Sequence, residues 1–175
     1  MIGIIGAMEE EVAALKEAMQ VESVTEYASM TFCKGVLCGK EVVIVRSGIG
    51  KVNAGICAQI LVDKFDVNAL INTGIAGSLN AKIDIGDVVV SKEALHHDMD
   101  ATEFGDPIGQ VPRMDTLAFP ADERLIGLAK AANEKVNPDI HTFVGTVASG
   151  DQFIASQEAK DKIVNNFHAY CTEME

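Results

Sequence analysis

The order of apolar runs along this chain predicts an α/β fold with a central mixed, largely parallel sheet flanked by helices. Three observations carry that expectation. Short apolar runs such as Ile2-Gly3-Ile4-Ile5-Gly6 and Val67-Asn68-Ala69-Leu70-Ile71-Asn72 have the length and content of buried strands. Between such runs stand segments with apolar residues at helical spacing, as at Val12, Leu15 and Met19. Glycine or small polar residues follow several of the strands, at 6–11, 47–53, 73–79 and 149–154. Parallel sheets hold ligands in that position, beyond the carboxyl ends of their strands.

Residues 2–6 read as the first strand and 9–20 as a helix, whose opening Glu9-Glu10-Glu11 suits the positive end of the helix dipole. Strands at about 28–37 and 41–46 flank the turn Cys38-Gly39-Lys40. A helix at 52–64 and strands at 67–72 and 86–91 follow. Between about 95 and 121 the periodicity dissolves into His, Asp, Gly and Pro, and a loop that long in a compact domain is functional or mediates assembly. A helix at 121–136, a strand at 140–148 and a short helix at 157–165 precede the last run, Ala169-Tyr170-Cys171-Thr172-Glu173-Met174-Glu175. No repeat or linker divides the chain, so 1–175 is expected to be a single domain.

Composition narrows the function. With 48% apolar and 23% charged residues the chain has the makings of a folded core, not of disorder. Its 26 acids against 14 bases give a net charge of −12, which repels phosphate backbones and excludes nucleic acid as a partner. Any substrate should be neutral or cationic near its reacting end. Cys33, Cys38, Cys57 and Cys171 lack the spacing of a redox or zinc motif and read as small buried hydrophobes in a reducing compartment. The apolar N-terminus is too short for a signal core, and no run is long enough to cross a bilayer. A cytoplasmic protein without a membrane partner is expected.

Several familiar chemistries find no motif. Gly3-Ile4-Ile5-Gly6 and Gly48-Ile49-Gly50 lack the third glycine of a dinucleotide fingerprint, and Val52 stands where a phosphate loop after Gly50-Lys51 needs Ser or Thr. His96, His97, Asp98 and Asp100 lack a third histidine at helical spacing, so a polar loop or interface is the better reading than a metal site. Neither a metal nor a cofactor is expected. No Gly-x-Ser-x-Gly elbow supports acyl transfer.

Five segments remain, each with two readings. Glu9-Glu10-Glu11 either start a solvated helix or include a general base pointing back over the sheet edge, and periodicity does not say which acid. Ser47-Gly48-Ile49-Gly50 and Asn72-Thr73-Gly74-Ile75-Ala76-Gly77 either make ordinary strand-to-helix turns or let a flat ligand approach the backbone. Phe153, in Ser149-Gly150-Asp151-Gln152-Phe153-Ile154, either plugs a core or stacks on a base. The acids of Glu173-Met174-Glu175 close a buried-looking strand, where a carboxylate is costly unless it is exposed or binds something, such as a ribose cis-diol.

In this order, Gly3 to Glu11, Ser47 to Val52, Asn72 to Gly77, Ser149 to Ile154 and Glu173-Met174-Glu175 resemble the bacterial 5′-methylthioadenosine/S-adenosylhomocysteine nucleosidases. His97-Asp98 and Phe104-Gly105 in the long loop extend the resemblance over the whole chain. It implies the purine nucleoside phosphorylase-like α/β fold, a homodimer, and hydrolysis of thioadenosines (5′-deoxyadenosine included) to adenine and the sugar, in methionine salvage. By the same resemblance Glu11 is the base that activates water, and Met8 and Ile49 line the ribose and water side. Ala76 and Gly77 form the wall beside adenine, Phe153 stacks on the purine, and the backbone of Ile154 reads its amino edge. Thr172, Glu173, Met174 and Glu175 complete the substrate-binding set, with Met174 and Glu175 on the ribose.

The chemistry suits these residue types. Breaking the C1′–N9 bond builds positive charge on the ribose and negative charge on the purine, so carboxylates at Glu11 and Glu175 favour the transition state over the neutral substrate. The family's acid, which protonates adenine N7, is an Asp on a later strand, matched by none of Asp84, Asp87, Asp98, Asp100 or Asp151. The 175 residues are therefore expected to be truncated at the C-terminus, without the last strand and helix of the fold, and inactive if they are the entire molecule. Phosphorolysis is disfavoured because Glu9-Glu10-Glu11 stand where a phosphate would bind, and Arg46 and Lys51 are too few to offset them. A sister futalosine-type nucleosidase and a non-catalytic nucleoside-binding or storage protein remain as alternatives.

Overall fold

The computed structural model describes residues 1–175, in two compact units: Met1–Ile75 together with Glu175, and Ala76–Met174. The expected α/β class is what it shows, with a five-stranded mixed sheet in each unit.

In the first unit, strand β1 (Ile2–Gly6) runs parallel to both β4 (Lys40–Arg46) and β5 (Ala69–Asn72). Antiparallel pairing adds β3 (Met30–Leu37) and β2 (Gln20–Tyr27), for the order β2-β3-β4-β1-β5. Val42, Val43, Ile44 and Val45 are all buried, because helices cover both faces of β4. Val43 and Val45 pack with Phe32 and with Cys57 and Leu61 of helix α2 (Lys51–Phe65). Val42 and Ile44 face the other way, onto Ile4 and onto Val12 of helix α1 (Glu9–Ala18). Each large apolar side chain so buried contributes roughly 1.5–3 kcal/mol.

Two boundaries differ from expectation for physical reasons. The first helix ends at Ala18, because Met19 is already extended and leads into β2. That strand was not expected: nearly all of it is exposed, and a bulge between Val21 and Ser23 takes Val21 and Val24 out of a two-residue period. Ala28 and Ser29, at φ 50° and 62°, make the tight turn of the β2–β3 hairpin, so β3 starts at Met30, not at 28.

The second unit orders its strands β6 (Gly77–Ser78), β10 (Cys171–Glu173), β9 (Thr142–Ser149), β7 (Val88–His96) and β8 (Phe119–Pro120). Its three central strands are parallel and both edges antiparallel. Helix α3 (Glu123–Val136) is capped by Asp122, which accepts the Leu125 N–H, and helix α4 (Gln157–Phe167) by Ser156, which accepts that of Ala159. Ile163 and Phe167 of α4 pack on Leu95 and Ala148 to form the core. Strand β7 runs to His96, five residues past its expected end, because a register shift between Ser91 and Glu93 interrupts the alternation. The long loop that follows contains only a single 3-10 turn, Thr102–Phe104, and the short β8.

Candidate active site

The segments 6–11, 47–53 and 73–75 follow β1, β4 and β5, three neighbouring parallel strands of the first unit. Hydrogen bonds continue past the strand ends, from Ser47 N–H to the Gly6 carbonyl (2.9 Å), Gly48 N–H to Ala7 (3.1 Å) and Thr73 N–H to Ile5 (2.9 Å). The three loops therefore lie side by side, and that arrangement decides which acid matters. Glu9 is exposed and held by Lys16 at 2.9 Å, and Glu10 is exposed. Glu11 is half-buried, and both of its carboxylate oxygens are engaged. One accepts the Met8 N–H at 2.9 Å and the other the Ile75 N–H at 3.0 Å.

The contact to Ile75 depends on Gly74. A methyl group at that position would land on the Glu11 carboxylate and displace it, so glycine is what leaves the carboxylate on the Ile75 N–H. Sequence reading treated Gly74 as one glycine among several in a turn; its partner lies 63 positions away in the chain. Met8, half-buried, and Ile49, 51% exposed, border a cavity of about 520 Å³ in the same unit, with Ala7, Arg46 and Gly48 in its wall. The amide of Asn53 donates to the Ile49 carbonyl at 2.7 Å and steadies that loop. Glu175, half-buried, belongs to this unit as well.

The remaining candidates lie in the second unit. Gly77 pairs with Thr172, and Thr172 with Ala148, so Ala76-Gly77 and Thr172-Glu173-Met174 come together beside the end of β9. Thr172 is buried, its hydroxyl donating to the Ala148 carbonyl at 2.8 Å, and the Gly150 N–H donates to the Glu173 carbonyl at 3.2 Å. Phe153 is 85% exposed, which rules out the core-plugging reading and leaves an open aromatic face. The neighbouring Ile154 is half-buried against the core of this unit.

His97 and Asp98, read from sequence as a polar loop, fix the turn that carries Phe153. The His97 N–H donates to the Ser149 carbonyl at 2.8 Å, and the Asp98 carboxylate accepts the Asp151 N–H at 2.8 Å. The buried His97 ring fills the space that a side chain at Gly150 would need. These two residues stand just past the carboxyl end of β7, the position that selected the other segments. With the strand expected to stop at 91, they fell outside it.

No three His, Cys, Asp or Glu side chains gather closely enough to hold a metal ion, and no helix is long and apolar enough to cross a membrane. Cys57 and Cys171 are buried as expected, and burial pushes both thiols up to about 11. Cys38 departs from that expectation: it sits exposed at φ 48° in the turn between β3 and β4, where there is no core to enter. In the second unit, the Thr146 hydroxyl donates to Glu93 at 2.7 Å and, with Lys92, holds its carboxyl below the usual range.

Comparison with known proteins bears on this geometry. A family model described as the phosphorylase superfamily matches residues 1–175. The 5′-methylthioadenosine/S-adenosylhomocysteine nucleosidase of Staphylococcus carnosus is 43% identical over the whole chain, which spans 76% of that protein. That of Staphylococcus aureus is 44% identical with the same coverage. Among solved structures, the nucleosidase of that name from Colwellia psychrerythraea, in complex with adenine, aligns at TM-score 0.94 and 44% identity over 99% of this chain and 72% of its own. The Neisseria meningitidis enzyme with methylthio-immucillin-A aligns at 0.95 and 37% identity, over 99% of this chain and 75% of its own. A futalosine hydrolase of Helicobacter pylori aligns at 0.92 and 34% identity, over 99% and 74%.

Proposed function

Since this chain belongs to the phosphorylase superfamily, and within it to the 5′-methylthioadenosine/S-adenosylhomocysteine nucleosidases, we propose that it hydrolyses the N-glycosidic bond of these two nucleosides. The products are adenine and the corresponding thioribose. The observation that carries the reading is the grip of two backbone N–H groups on Glu11. A carboxylate held by two donors is aimed, yet each oxygen keeps a lone pair for a water proton.

Glu11 is the general base, taking a proton from water as it attacks C1′. Its charge also favours a sugar that becomes cationic as the bond to the purine breaks. Met8 and Ile49 line the ribose and water side. Phe153 offers the face on which adenine stacks, the backbone of Ile154 reads its amino edge, and Ala76 and Gly77 leave room for the flat base. Thr172, Glu173 and Met174 complete the proposed substrate-binding set, and Glu175 accepts the ribose hydroxyls. The proton delivered to adenine N7 is assigned to none of the aspartates among these 175 residues.

The finer reading is a cytoplasmic homodimer acting in methionine salvage on one nucleosidase domain, and accepting 5′-deoxyadenosine. Four free thiols fit a reducing compartment, and the exposed Val52, Ile56 and Val62 of α2 fit a covered face between two copies. The futalosine hydrolase neighbour supports a second reading, in which an adenine-bearing futalosine derivative is also cleaved. Incubation with 5′-methylthioadenosine in phosphate-free buffer tests the central point. Free adenine and free methylthioribose are expected at a rate that added phosphate does not change. A sugar phosphate formed only when phosphate is present would overturn hydrolysis, and binding without cleavage would favour the storage reading.

A further inference from the structure

The loop after β4 offers Ile49 little packing. This residue stands between Gly48 at φ 84° and Gly50 at φ 105°, both in the left-handed region that favours glycine and leaves the chain freer to turn. Its side chain is half open to solvent and joins neither core cluster of the first unit. The loop is held instead by its carbonyls. The Ser47 hydroxyl donates to the Gly48 carbonyl at 2.8 Å, and the Asn53 side-chain amide donates to the Ile49 carbonyl at 2.7 Å. A side chain at Gly48 would crowd that amide, its Cβ coming within 3.2 Å of the Asn53 nitrogen.

Asn53 is the third residue of helix α2, whose N-cap, Gly50, brings no side chain to the helix end. In a capping box the third residue turns back so that its side-chain oxygen accepts a backbone N–H, as Glu11 does for Met8 in α1. At α2 the group turned towards the helix is a carbonyl, and it requires a donor. A carboxylate of the same size would still suit the positive end of the helix, but it would repel that carbonyl. The need for an amide at residue 53 therefore comes from the loop and not from the helix. Resting on the nucleosidase reading above, we infer that Asn53 is a positioning residue. Its amide holds the Ile49 carbonyl, so that the Ile49 side chain is already placed on the ribose and water side when the nucleoside arrives. Order established in advance spares binding the cost of ordering the loop. Asn53 itself touches no reacting atom and moves no proton.

The test applies steady-state kinetics on 5′-methylthioadenosine and thermal melts to wild type, Asn53→Ala and Asn53→Asp. Loss of one hydrogen bond raises KM about fivefold in Asn53→Ala, with kcat changed less than about twofold. Asn53→Asp sets a carboxylate against the Ile49 carbonyl and raises KM further, about tenfold, while melting no lower than Asn53→Ala. A residue that served only the helix or its packing would give the opposite order, because Asp keeps the shape of Asn and is favoured at a helix start. A KM for Asn53→Asp at or below that of Asn53→Ala therefore overturns the inference and leaves the nucleosidase reading standing. In an Ile49→Ala background, where the side chain to be placed is gone, Asn53→Asp shifts KM less than about twofold. The full shift in that background also overturns the inference. If wild type does not cleave 5′-methylthioadenosine, the nucleosidase reading falls instead, and calorimetric Kd values for that nucleoside replace KM, with the same order expected. Equal Kd in the three proteins overturns the positioning role.

Discussion

Glu11 and Phe153 occupy similar places in the chain, each a few residues beyond the carboxyl end of a parallel strand, and they are prepared in opposite ways. Glu11 is half-buried, its two oxygens held by the N–H groups of Met8 and Ile75, with Gly74 cleared of a side chain to allow it. Phe153 is left 85% exposed, and what is fixed is the turn beneath it, through His97 and Asp98. The difference follows from what each group is asked to do. A charge that acts in the transition state must be oriented beforehand, or its reorganisation adds to the barrier. An aromatic face for a base needs no partner until the base arrives, since stacking is completed by the ligand itself.

That contrast predicts which substitutions alter turnover and which alter binding. Gly74→Ala pushes the Glu11 carboxylate aside, and a misplacement of that kind lowers kcat about a hundredfold with little change in KM. A KM rise with unchanged kcat would show that Gly74 serves the substrate and not the carboxylate. Phe153→Ala removes one stacking face and raises KM roughly tenfold, with a smaller effect on kcat. Asp98→Ala loosens the turn without touching Phe153, so KM rises only about threefold, and Asp98→Asn, which keeps an acceptor for the Asp151 N–H, recovers most of it. Steady-state kinetics on all four variants separates these outcomes.

The smallest effect concerns stability. Because the folded-state pKa of Glu93 is lowered, first by the Thr146 hydroxyl and then by Lys92, its contribution is present at neutral pH and fades as pH falls through and below the carboxylate range, around pH 4. Thermal melts of wild type and Glu93→Gln should differ slightly near neutrality and converge in acid. A gap that widens with acid would contradict the assignment.

Most of the candidate site was proposed from sequence because its residues fall in short segments after buried apolar strands, and such strands announce themselves by composition. What stayed hidden arose where the backbone breaks its own period. The bulge at Val21 and Ser23 concealed β2, and the shift between Ser91 and Glu93 shortened β7 on paper, which separated His97 and Asp98 from the strand end they extend. Cys38 was misjudged because residue type outweighed its place in a turn. Local pattern did not single out Glu11 from three consecutive acids; the family resemblance did, and the contact that sets it apart, the loop at 73–75 brought beside α1, is one no local pattern encodes.

The most direct test is Glu11→Gln, which preserves shape and one acceptor while removing the charge and the base. Adenine release from 5′-methylthioadenosine in phosphate-free buffer should fall by about 10²–10⁴, while the nucleoside still binds. Turnover at the wild-type rate in Glu11→Gln would contradict the claim that this carboxylate activates the attacking water.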